Sequence, residues 1–159
     1  MSPEAIFGLQ FGLSVVVWAL LARSVAAPWL AKRDRREALF WLTLPHAFRH
    51  VGLVFLVPGV VSGDLPFSFA GPAAYGDLAA GVLALASLIA LRAGWSGATA
   101  VVWVFNVVGT VDLLNALRHV EVISELGAAW YIPTLLVPLL LVTHFMIFVR
   151  LIRRPGSSG

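Results

Sequence analysis

Five long apolar runs alternate with short polar or turn-rich breaks along this chain. The runs cover about residues 6–27, 39–61, 73–92, 98–117 and 129–152. Each holds the roughly 20 residues needed to cross a ~30 Å hydrocarbon core at about 1.5 Å per helical residue. The first break, Pro28 to Glu37, carries Lys32, Arg33, Arg35 and Arg36. The second, Ser62 to Pro72, is turn-forming by its Gly and Pro content, and Pro72 fits the first position of the third helix. Arg92–Gly97 is a tight connection, and Arg118–Gly127 is polar enough to sit at an interface.

Ser2-Pro3-Glu4 begins the first run as a helix start, with a Ser cap, a Pro at the first position and an acid in the first turn. Ser24-Val25-Ala26 resembles a leader cleavage site. The run nevertheless reads as a span, because its start holds Glu4, carries no basic residue, and its apolar stretch is long. The pattern predicts an all-α polytopic integral membrane protein, a bundle of five transmembrane helices in one domain over residues 1–152. The stretch 153–159, ending Gly-Ser-Ser-Gly, is set apart as an appended tail.

Composition agrees with this class. The chain is 60% hydrophobic and 12% charged, against about 25% charged in soluble domains. With no cysteine there is no disulfide framework and no thiol chemistry. The net charge of +3 is explained by topology rather than by nucleic-acid binding. Arg23, Lys32, Arg33, Arg35, Arg36, Arg92, Arg150, Arg153 and Arg154 gather at one end of the spans. Only Arg118 lies at the other, with Glu4, Asp64, Glu121 and Glu125. The positive-inside rule then puts the N-terminus outside and the C-terminus in the cytoplasm, with a bacterial inner membrane as the expected location. Trp29, Trp41 and Trp95 fall near the inner boundary; Tyr75, Trp130 and Tyr131 fall near the outer one.

The candidate chemistry lies in the polar residues inside the spans. Ionisable groups at membrane depth are costly and face the protein interior. Counting residues from the inner ends places His46, Asn106 and His144 at one depth on three different helices. Arg49 and His50 come near the midplane, and Asp77, Asp112 and Asn115 in the outer third. At about 100° per residue, His46, Arg49 and His50 share one face of the second helix. Arg49 cannot lose its charge and needs a carboxylate. Asp112 is the expected partner, with Asp77 as the alternative. Pro45 and Pro138 each remove a helical hydrogen bond and can open space beside His46 and His144. Gly76, Ala80 and Ala84 form a small-residue stripe for close helix packing, and Asn106 and Asn115 can equally be interhelical glue worth about 0.6 kcal/mol each.

The function this set best supports is a buried polar cavity of His46, Arg49, His50, Asn106, Asp112, His144, Asp77 and Asn115 that binds or passes a small molecule or protons. Three alternatives stay open. His46 and His144 are the minimum for axial ligation of a b-type haem. His with Asp could serve acid–base chemistry in a lipid-modifying enzyme. The protein could also be a structural or assembly subunit. No metal-ligand set is expected, and phosphate-loop, dinucleotide and EF-hand signatures are absent. The expected partners are the lipid bilayer, a small or lipid-like ligand, and a second copy of the chain through an exposed face of the first helix.

Overall fold

The computed structural model describes residues 1–153. Arg154 and the rest of the tail at 154–159 lie outside the described residues. Five helices are long and apolar enough to cross a membrane: α1 Pro3–Ala31, α2 Arg35–Leu56, α3 Phe67–Ala93, α4 Ala98–Ala116 and α5 Gly127–Ile152. Every named element among the described residues is helical.

The helix starts follow local chemistry. The Ser2 hydroxyl accepts from the Ala5 amide at the head of α1, and the Asp34 carboxylate accepts from the Glu37 amide at the head of α2. Helix α3 stops where Gly94 adopts a left-handed φ of 78°. Several expected boundaries move, and α2 covers Arg35–Leu56 instead of about 39–61. Helix α1 continues through Pro28 to Ala31, because the wide π turn Ala22–Ala26 just before the proline absorbs its missing hydrogen bond. Helix α3 starts at Phe67, so Pro72 sits inside it rather than at its first position. The carbonyl that Pro72 leaves free belongs to Ser68, in the first turn, where a lost bond costs little.

The largest departure lies in α2. It is α-helical only over Arg35–Thr43 and continues as a 3-10 helix over Leu44–Leu56. Runs of 3-10 helix beyond 3–4 residues are uncommon. Here the sequence has a matching three-residue period. His46, Arg49, Gly52 and Phe55 are the buried positions of the stretch, and a 3-10 helix stacks residues three apart on one line. The thinner helix lies against α3, and Gly52 lets the backbones meet. A methyl group there would sit 2.6 Å from Asp77 Cβ.

Helix α3 is the centre of the bundle, packed by the 3-10 stretch on one side and α4 on the other. Its buried face is made of small residues, among them Ala70, Ala73, Ala74, Ala80, Gly81, Ala84 and Ser87. That face permits close approach on both sides. Helix α5 packs on α4 and carries α1 on its outer side. No residue of α1 before Leu30 is buried. Its attachments are local: Trp18 Nε1 donates to the Leu135 carbonyl at 3.1 Å, and Trp130 Nε1 donates to Gln10 Oε1 at 2.6 Å.

The two ends of the bundle differ. The basic end, at Lys32–Arg36, Arg92 and Arg150, stands over a tight apolar cluster of Leu30, Leu39, Leu42, Val102, Phe105, Ile147 and Leu151. At the acidic end the connection 57–66 is joined to the connection 117–126 and to the start of α5. Ser62 N donates to Glu125 O at 3.0 Å and Ala128 N donates to Val60 O at 2.8 Å. Val122 and Leu126 tuck under this cap against Phe55 and Phe69.

Candidate functional site

The 3-10 stretch of α2 aims Arg49 between α3 and α4. Its guanidinium is fully enclosed and reaches three partners. Nε donates to Asp77 Oδ1 at 2.7 Å, Nη1 donates to the Gly109 carbonyl at 3.0 Å, and Nη2 donates to Asp112 Oδ2. Both acids considered from the sequence therefore pair with Arg49, one from each neighbouring helix. Their side chains keep 11% and 19% of their surface exposed. One arginine and two carboxylates leave the cluster with a formal charge of −1, and no third charged group pairs with it among the described residues.

Three glycines make room for this cluster. Gly52 backs onto Asp77, Gly76 backs onto Asp112, and Gly109 backs onto Arg49 and His144. At Gly109 an added methyl would lie 2.9 Å from Arg49 Nη1 and 2.8 Å from His144 Cε1. In the sequence Gly76 reads as part of a packing stripe; its place before Asp77 is what clears space for Asp112.

Toward the basic end the imidazoles of His46 and His144 pack against each other, with centroids 4.1 Å apart and planes inclined by 50°. Both rings are sealed from solvent. Asn106 orients His144 by a two-point contact: its Nδ2 donates to the His144 carbonyl at 3.3 Å, so its Oδ1 accepts from His144 Nδ1 at 2.7 Å. Thr143 Oγ1 lies 2.9 Å from His46 Nε2 and also reaches the carbonyls of Leu139 and Leu140. His46 Nδ1 and His144 Nε2 have no hydrogen-bond partner among the described residues. Thr143 was not singled out from the sequence; a threonine before a histidine in an apolar helix reads as simple back-bonding.

The rings lie too close for one expected role. A haem bound axially by His46 and His144 must place its macrocycle between them, whereas these two rings touch. The pair does not fit that ligation in this arrangement. No group of three or more metal-ligating side chains forms among the described residues.

Two expected site residues lie away from the cluster. His50 is exposed, and its Nδ1 bonds to the Ala47 carbonyl of its own turn. The reason is the helix type. Four residues in a 3-10 helix advance about 480°, a third of a turn past His46, instead of returning near it. Asn115 is also exposed, and it borders a shallow recess with Asp112 and His119.

Three spaces adjoin the ionic cluster. One of about 60 Å³ lies under the acidic-end cap, bordered by Asp77, Asp112, His119, Val122 and Leu126. A second of about 60 Å³ is the recess beside Asn115. The third, of about 280 Å³, lies between the 3-10 stretch and the start of α5 and reaches Arg49 and Asp77. Sixty cubic ångströms of such space accommodates a few waters. In the other direction the apolar cluster around Phe105 and Ile147 stands between the histidine pair and the basic end. The polar groups thus form a blind column, approached from the acidic end and from the side.

A family model described as Domain of unknown function (DUF8737) matches residues 6–152. No curated protein and no solved structure matches the chain.

Proposed function

The chain belongs to the DUF8737 family, and from its own geometry we propose that it is a membrane-embedded binding protein for a small ligand with a hydrogen-bond-donating or cationic group. In this reading the five helices cross a bacterial inner membrane with the acidic end outside and the basic end in the cytoplasm, as the distribution of Lys and Arg implies. The ligand is held at the Arg49–Asp77–Asp112 cluster from the outer half of the bilayer.

The observation that carries the proposal is the surplus carboxylate. Arg49 already donates to two acids and a carbonyl, which leaves it poorly placed to hold an anion. Asp77 and Asp112 each spend one oxygen on Arg49, and the other takes no hydrogen bond from the protein among the described residues. An ionised oxygen in an apolar bundle is satisfied by a donor. The apolar cluster on the basic side favours binding over passage through the bundle. Asp77, Asp112 and Arg49 are the binding residues; His46, His144, Asn106 and Thr143 form the floor.

Thermal unfolding in phosphatidylcholine nanodiscs tests this reading. Ethylammonium is expected to raise the Tm of the wild type and acetate to leave it unchanged, and Asp112→Asn should lose the response. A wild type indifferent to ethylammonium sinks the proposal.

A further inference from the structure

The space beside Arg49 has a shape that the other two lack. It lies between the 3-10 stretch and α5, about 280 Å³ in volume, near the roughly 300 Å³ at which ligand sites begin. Its walls are apolar: Leu44, Pro45, Phe48 and Val51 on one side, Leu136 and Leu140 on the other. Its inner end is the pair Arg49 and Asp77. Its rim residues Phe48, Val51 and Leu136 are 65%, 42% and 37% exposed, so the mouth faces sideways from the middle of the bundle rather than toward either end.

Backbone irregularity explains why the gap exists. A 3-10 helix is thinner than an α-helix, and the opposite wall is the π turn Ile132–Leu136, which contains Pro133 and is followed by Pro138. The two segments therefore do not close on each other as regular helices would. The gap also abuts the space under the cap, since Asp77, Ile132 and Val137 border both.

We infer that this lateral cavity takes a membrane-resident amphiphile, its apolar chain between the 3-10 stretch and α5 and its head group donating hydrogen bonds to Asp77. The inference rests on the surplus-carboxylate reading above and adds the ligand class and the route. Charge selects the head. The formal charge of the cluster is −1, and the oxygen of Asp77 not held by Arg49 has no protein donor among the described residues, so an amine or hydroxyl head fits and a carboxylate head is repelled. The sideways mouth selects the source. A ligand dissolved in the bilayer enters without crossing the cap or the Val122 and Leu126 side chains beneath it.

The test is photo-crosslinking in phosphatidylcholine nanodiscs. One probe is a dodecylamine carrying a mid-chain diazirine, and the other is the matching dodecanoate. The amine is expected to label the cavity walls around Phe48 and Leu136–Leu140 several-fold above the exposed positions Leu13 and Val16 of α1. The dodecanoate is expected to show no such enrichment. Leu136→Trp, which fills the mouth without touching the ionic cluster, should abolish the enrichment while leaving the ethylammonium Tm shift intact. Equal labelling of cavity and α1 means ordinary bilayer contact and overturns the inference. If ethylammonium still binds through Asp112 in that case, the acidic site survives and only the lateral route fails. If neither amine binds, both readings fall.

Discussion

The charge count of the buried cluster makes a non-additive prediction. Asp77→Asn or Asp112→Asn alone leaves Arg49 with one carboxylate and a cluster of zero charge. The double variant leaves a sealed guanidinium with none. At an effective dielectric of about 20, opposite charges ~4 Å apart attract by about 4 kcal/mol. The two carboxylates share that one guanidinium, and at a separation of roughly 5–8 Å they repel by about 2–3 kcal/mol on the same scale. Removing the first acid thus forfeits about 4 kcal/mol of attraction, relieves about 2–3 kcal/mol of repulsion, and removes the desolvation penalty of one ion. The asparagine Oδ1 can still accept from Arg49. Each single variant should therefore cost no more than about 1 kcal/mol, and the double variant about 3–5 kcal/mol, the penalty of an uncompensated buried charge. The assay is reversible unfolding in mixed micelles, titrated with dodecyl sulfate and read as a double-mutant cycle. A coupling energy near zero would refute the reasoning, because it would mean that Arg49 does not depend on both acids jointly.

Other outcomes follow from the same geometry. Gly52→Ala, whose methyl would lie 2.6 Å from Asp77 Cβ, should destabilise by about 1–3 kcal/mol through overpacking. Gly8→Ala, in open space on α1, should be neutral or stabilising by up to about 1 kcal/mol; the same titration reads both. His50→Ala should stay within about 0.5 kcal/mol, whereas His46→Ala should cost at least about 2 kcal/mol for emptying a sealed site. Equal effects at the two histidines would argue for a regular α-helix through this stretch. Thr143→Val removes the neighbour of His46 Nε2 and should cost about 1–3 kcal/mol for a ring nitrogen left unpaired, seen as a lower unfolding midpoint.

Much of the architecture could be read from the chain itself. Five apolar runs of spanning length, separated by Gly, Pro and charged breaks, are a one-dimensional signal. Hydropathy and length alone specify five helices able to cross a membrane. The depth match of His46, Asn106 and His144 was equally legible, because depth in a bundle follows from counting residues. The need of Arg49 for an acid was legible too, since its charge is permanent.

What only the tertiary structure decided is the rotation and curvature of each helix. At 3.6 residues per turn, α2 would bring His50 onto the face of His46. The spacing His46, Arg49, Gly52, Phe55 carried the other period, but a three-residue and a 3.6-residue repeat diverge too little over one turn to be separated without knowing what lies opposite. Packing against the small-residue face of α3 resolves it, by burying the threefold set. Whether Arg49 takes Asp77, Asp112 or both depends on where two other helices stand, a distance that no sequence spacing encodes. The lateral gap is likewise a property of two irregular segments meeting, a 3-10 stretch and a π turn. Local sequence determined that five apolar helices form. Contacts between helices decided which of their faces carry the charge and where the bundle stays open.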